Sequence, residues 1–148
     1  MNKPVHASLV VRGASPKEVF AALLDVRAFP EWGFGLRRAS VRGGSGLVPG
    51  ARLEFVLSAV GLTHEVVSLI TAVEEPWRIS WSYTEGAVGG GGWILEEAGD
   101  GTRMTLSSGY EVEPAWLNRL ANRPFFRGVA EDLLRRSMRR FSERLESR

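Results

Sequence analysis

Cysteine is absent from this 148-residue chain, so disulfides, thiol chemistry and thiolate metal sites are all excluded. Histidine is scarce. His6 and His64 are the only two, and neither sits in a ligand-spaced motif, so no metal is expected. No apolar run approaches the roughly 18 residues that a membrane-spanning helix needs. The opening MNKPVHASLVVRG turns polar before an apolar stretch of useful length develops, so neither a transmembrane segment nor a secretory signal is expected. A chain without cysteine is compatible with a reducing cytoplasm, the expected setting. Gly-x-Ser-x-Gly elbows and phosphate-binding Gly-x-x-x-x-Gly-Lys-Ser/Thr loops are also missing. The run Gly89 to Gly92 is followed by Trp93-Ile94-Leu95 rather than Lys-Ser/Thr, and it is expected to be a flexible loop or bulge. No cofactor is expected.

What remains is the composition of an ordinary globular protein, 44% hydrophobic and 24% charged, in a chain long enough to bury a core. One domain over residues 1–148 is expected. The net charge of +2 is too small to pull the whole molecule towards nucleic acid, but its distribution is uneven. Residues 127–148 hold seven arginines against Glu131, Asp132, Glu143 and Glu146. Acids early and bases late suit a solvated helix face that complements its own dipole. Without basic residues interleaved with exposed aromatics elsewhere, no nucleic-acid partner is expected.

Val5, Ala7, Leu9 and Val11 alternate at period two and predict a first strand ending at Gly13. Ser15-Pro16-Lys17-Glu18 then offers a Ser cap, a Pro at the first helical position and a Glu three residues beyond the cap. Together they predict a helix to about Leu24 with Val19, Phe20, Leu23 and Leu24 buried. The aromatic segment DVRAFPEWGFG, Asp25 to Gly35, has room for one further helical turn at most. Six strands follow at about 36–43, 51–59, 62–74, 77–85, 92–97 and 102–112, with no helix between them, which predicts an antiparallel meander. The breaks are Gly43-Gly44-Ser45-Gly46, Val60-Gly61, Glu75-Pro76, Gly86 to Gly92 and Gly99-Asp100-Gly101. A helical tail opens at Pro114 and is interrupted near Pro124. Beyond Gly128, Ala130, Leu134, Met138, Phe141 and Leu145 form the apolar stripe of a final helix.

The stretch SPKEVFAALLDVRAFPEW (Ser15 to Trp32), the later GDGTRMTL (Gly99 to Leu106) and the closing helix resemble the START-like (SRPBCC) helix-grip superfamily, in particular its polyketide cyclase/dehydrase-like branch. The resemblance runs through nearly the whole chain, on structural rather than catalytic motifs. It implies an α+β fold: a seven-stranded curved antiparallel sheet wrapped around the long C-terminal helix, two short helices between strands 1 and 2, and a cavity between sheet and helix. It names no ligand, because that superfamily includes lipid carriers, hormone receptors, cyclases and chaperone-associated domains.

Register follows from turn lengths. A two- or four-residue connection at Val60-Gly61 puts Leu53, Phe55, Leu57 and Ala59 on one face with His64, Val66, Ser68 and Ile70. A two-residue turn at Glu75-Pro76 carries that face onto Ile79, Trp81 and Tyr83. The last strand adds Met104, Leu106, Ser108, Tyr110 and Val112. This apolar face with a few hydroxyls and one imidazole has the composition of a small-molecule pocket, although the same side chains also suit simple core packing. The expected ligand contacts are Phe55, Leu57, His64, Val66, Ser68, Trp81, Tyr83, Met104, Leu106, Ser108 and Met138.

Three functions compete. Binding or carriage of a small, largely apolar molecule (lipid, aromatic or polyketide-like) is favoured because no catalytic set converges. A metal-free cyclase or dehydratase is the alternative, with His64 moving a proton and Tyr83 donating a hydrogen bond; adjacent Glu65 points to the opposite face and cannot assist. A protein-interaction module using Arg135, Arg136, Arg139 and Arg140 is the third. The cavity is expected to open at two glycine-bearing loops: one carries Trp32 and Phe34, the other Gly90 and Gly91. Fixed core positions for the two rings are the competing reading.

Overall fold

The computed structural model describes residues 4–43, 46–59, 61–112 and 114–147. Gly44 and Ser45 of the first expected turn, Val60 of the second, and Arg148 of the basic segment lie outside them. The elements in chain order are β1 (Val5–Arg12), α1 (Pro16–Leu23), a 3-10 turn (Val26–Ala28), α2 (Phe29–Trp32), β2 (Leu36–Val41), β3 (Arg52–Ala59), β4 (Leu62–Glu74), β5 (Arg78–Glu85), β6 (Ala87–Ala98), β7 (Gly101–Val112), α3 (Ala115–Ala121) and α4 (Pro124–Glu146). The seven strands form one sheet in the order β1-β7-β6-β5-β4-β3-β2. Every neighbouring pair is antiparallel. Strands β2 to β7 meander, whereas β1 pairs with the last strand, from Val5↔Ser108 to Arg12↔Gly101. The chain therefore crosses from one edge of the sheet to the other through α1 and α2.

Helix α1 starts where its capping sequence requires. Ser15 Oγ accepts from the Glu18 amide at 3.2 Å and the Ser15 amide donates back to Glu18 Oε1 at 3.2 Å, with Pro16 opening the helix. Such a cap stabilises by about 1 kcal/mol. Val19, Phe20 and Leu23 then enter the principal core with Val11, Ile79, Leu95, Met104, Met138, Phe141 and Leu145. Thr102, fully buried, donates its hydroxyl to the Ala14 carbonyl at 2.8 Å and ties the turn before α1 to the start of β7. A second, smaller core gathers Leu47, Ala51 and Ile70 beneath the connection between β2 and β3.

Two expectations are corrected. The segment Gly86 to Gly92 is not a loop: β6 begins at Ala87, and Gly89 to Gly92 pair with both β5 and β7. Glycine is required there by crowding. A Cβ on Gly90 would lie 2.5 Å from the Trp81 carbonyl oxygen, and one on Gly91 would strike the Ser107 carbonyl. Secondly, the turn at Glu75-Pro76 holds three residues, since Glu74 pairs with Arg78. A bulge between Ile70 and Ala72 absorbs the extra residue, so Ile70↔Trp81 and Ser68↔Tyr83 still pair as the two-residue turn requires. Among the described residues, no helix is long and apolar enough to cross a membrane.

Candidate functional site

The inner face of the sheet does not meet the helices everywhere. At one end α1 fills the gap. At the other a cavity of about 500 Å³ remains, bounded by the sheet, the segment from Phe29 to Leu36, α3 and the first half of α4. Among the described residues, no Lys, Arg, Asp or Glu lines it. Phe55, Leu57, His64, Val66, Ser68, Trp81, Tyr83, Leu106 and Ser108 all do, as do Trp32 and Phe34. Alternation explains the strand contribution: Leu57↔His64, Phe55↔Val66 and Leu53↔Ser68 pair directly, so the two-residue link between β3 and β4 puts them on one face.

Met104 and Met138 are the exceptions among the expected contacts. Both belong to the packed core, 0% and 2% exposed, because they lie at the end that α1 closes. Gly90 and Gly91 are strand residues that do not line the cavity. Strand pairing puts Gly89 and Gly91 in the inward row of β6, between Tyr83 and Trp81 on one side and Tyr110 and Ser108 on the other. Their missing side chains let the Tyr83 phenol cross β6 and meet Ser108 Oγ at 2.7 Å.

The polar groups on the wall are few. His64 Nε2 lies 2.7 Å from the Gly86 carbonyl oxygen, which only accepts, so this nitrogen carries the proton and donates. In the neutral ring Nδ1 is then the basic atom. His64 thus fastens β4 to the corner between β5 and β6, and the Tyr83 hydroxyl, committed to Ser108, is not its partner. Tyr110 is pushed above its ordinary phenol value of 10.0, first by burial and then by the nearby Tyr83 and Glu131, against the opposing effect of Arg127. It is therefore a hydrogen-bond donor, not a base. Ser68, 2% exposed, places one more hydroxyl on the wall.

Trp32 and Phe34 part company. The Trp32 ring packs edge-on against Phe29 and Phe141, with centroids 5.5 and 5.0 Å away, and its buried indole Nε1 has no hydrogen-bond partner among the described residues. Phe34 is 38% exposed and its amide donates to Ser137 Oγ at 2.8 Å. With Leu57 and Leu62, 40% and 38% exposed, it forms the rim of the cavity.

Sequence reasoning did not assign the helical half of the lining. Leu117, Leu120 and Ala121 come from α3, and Phe126, Val129 and Leu133 from α4. The spacing of Phe126, Val129 and Leu133 is itself a helical stripe, one step round from that of Ala130 and Leu134. Leu47 was hidden in a turn-rich segment with no periodicity to reveal it. No group of three or more metal-ligating side chains occurs among the described residues.

Comparison with known proteins bears on this geometry. A family model described as polyketide cyclase / dehydrase and lipid transport matches residues 4–147. No match is found among curated proteins. Among solved structures, TTHA0849 from Thermus thermophilus superposes with a TM-score of 0.81 at 18% identity, covering 98% of each chain. A START superfamily protein from Mycobacterium smegmatis superposes with a TM-score of 0.72 at 14% identity, covering 97% of each chain. The di-domain ARO/CYC StfQ from the steffimycin biosynthetic pathway gives a TM-score of 0.71 at 16% identity, over 95% of this chain and 49% of that one. At these identities the likeness establishes the helix-grip fold and nothing finer.

Proposed function

The chain belongs to the polyketide cyclase/dehydrase and lipid-transport family, and from that premise we propose that it binds or carries a small, largely apolar molecule in the cavity between sheet and α4. One observation carries this reading: a cavity of about 500 Å³ whose lining includes aromatic and aliphatic side chains and hydroxyls but, among the described residues, no Lys, Arg, Asp or Glu. That volume and chemistry suit a lipid, an aromatic or a polyketide-like ligand. Apolar surface supplies affinity, while the hydroxyls of Ser68 and Tyr110 orient the molecule. A cysteine-free chain working in a reducing cytoplasm fits the same reading. Native mass spectrometry of the purified protein, with extraction of whatever co-purifies, is the direct test. A bound apolar molecule is expected. A persistently empty protein with no affinity for apolar fluorescent probes would sink the proposal.

A second reading, a metal-free cyclase or dehydratase, is favoured by His64 alone. Its Nε2 proton is committed to the Gly86 carbonyl, so the neutral ring offers Nδ1 as a base on the wall of the cavity. Tyr83, held on Ser108, would orient rather than protonate. Given a turned-over substrate, His64→Phe would abolish the reaction while binding persists. Turnover surviving both His64→Phe and Tyr83→Phe removes this mechanism.

A further inference from the structure

Beside the cavity mouth lies an arginine-lined groove. Phe34, Arg136, Arg139, Arg140, Glu143 and Arg144 contribute to it, and Phe34 also lines the cavity. That one residue therefore borders both spaces. The Arg140 guanidinium sits over the Phe34 ring, 5.4 Å from its centroid, so the aromatic wall has a cation stacked upon it. Two of the arginines are already paired: Arg136 Nε with Asp132 Oδ2 at 3.1 Å, and Arg144 Nη2 with Glu31 Oε2 at 2.8 Å. Arg139 and Arg140 have no carboxylate partner among the described residues.

We infer that the ligand is an anionic amphiphile whose tail fills the cavity and whose carboxylate or phosphate head rests in the groove on Arg139 and Arg140. The inference rests on the apolar-cavity reading above and narrows it. A charged head cannot follow the tail inside, because no Lys or Arg among the described residues lines the cavity and an unpaired buried charge is strongly disfavoured. It can stop at the rim, where Phe34 separates apolar space from two guanidinium groups with free donors. Arginine suits the task, since its planar fork pairs with both oxygens of a carboxylate or phosphate and remains charged at any working pH.

The test compares dodecanoate with dodecanol, two probes that share a tail and differ in the head. Binding is followed by the fluorescence of Trp32, Trp81 and Trp93 on the cavity wall. At a pH where the acid is ionised, dodecanoate is expected to bind roughly five-fold more tightly, the gain available from two partly exposed ion pairs. Added salt should narrow that gap. In Arg139→Gln/Arg140→Gln the two probes should bind alike, with dodecanol affinity unchanged. Arg135→Gln, outside the groove, should keep the preference. Dodecyl phosphate in place of dodecanoate separates the two head groups: whichever anion shows the larger arginine-dependent gain is the class the groove selects. Equal binding of the charged and neutral probes by the unaltered protein, or a preference that survives the double substitution, overturns the inference. Failure of dodecanol itself to bind would instead strike down the apolar-cavity reading.

Discussion

The two ends of the groove between sheet and α4 are built from the same elements and end up as opposites. The last half of α4 holds every buried residue of that helix, and at the end closed by α1 it supplies Met138, Phe141 and Leu145 to the core. Its first half supplies none, yet Phe126, Val129, Leu133 and Leu134 face the cavity. The inward row of β6 changes in step, from Leu95 and Trp93 at the packed end to Gly91 and Gly89 at the hollow one. An apolar stripe on a helix thus says that something apolar faces it, not that the facing space is filled. Phe20 and Leu23 of α1 fill one end, and the glycines of β6 leave room at the other.

Breaking the contrast within α4 should give the largest effect. Phe141→Ala removes a ring that is 2% exposed and packed against Trp32, and a loss of about 3–5 kcal/mol is expected. Leu133→Ala enlarges a space that is already hollow and should cost about 1 kcal/mol or less. Urea unfolding of the two variants decides it, and equal losses would show that the first half of α4 is packed as tightly as the second. Next comes the glycine row. Gly90→Ala puts a methyl 2.5 Å from the Trp81 carbonyl oxygen, and overpacking of that kind costs about 1–3 kcal/mol. A variant of undiminished stability would return this segment to the mobile loop that its composition suggests. The smallest effect concerns alkali. Tyr110 holds its proton more tightly in the fold than in the unfolded chain, chiefly because it is buried at the hollow end. The stability it contributes is therefore complete below the ordinary phenol value of 10.0 and is lost as pH rises from there through the higher folded value. Tyr110→Phe should flatten that alkaline decline. An unchanged profile would mean that the phenol is as well hydrated in the fold as outside it.

Much of the strand lining of the cavity was legible because strand parity is robust. Once Ala59 pairs with Leu62, the face carrying Phe55, Leu57, His64 and Val66 follows without knowledge of the rest. The second hairpin reached the expected face by a different route. Its turn is one residue longer than expected and the bulge after Ile70 takes up the difference, which no local pattern at Glu75-Pro76 announces. Met104 and Met138 sit on the correct faces but at the packed end, and position along a strand or helix is not encoded in periodicity.

The β6 glycines mark the boundary between what residues reveal in isolation and what their neighbours impose. Composition alone establishes that Gly89 to Gly92 are free of side-chain bulk, and free bulk ordinarily means a loop. Whether that freedom becomes motion or space depends on the strands alongside. With β5 and β7 hydrogen-bonded on either side, the backbone is held, and the vacancy appears as room for the Tyr83 ring to reach Ser108. Local propensity and alternation depend on residues adjacent in sequence, so the strands, α1 with its cap and the apolar inner face could be read directly. The cavity, its rim at Phe34 and the arginine groove behind it depend on distances between segments more than 100 residues apart, as in the 2.8 Å bond from Phe34 to Ser137, and only the folded chain brings those together.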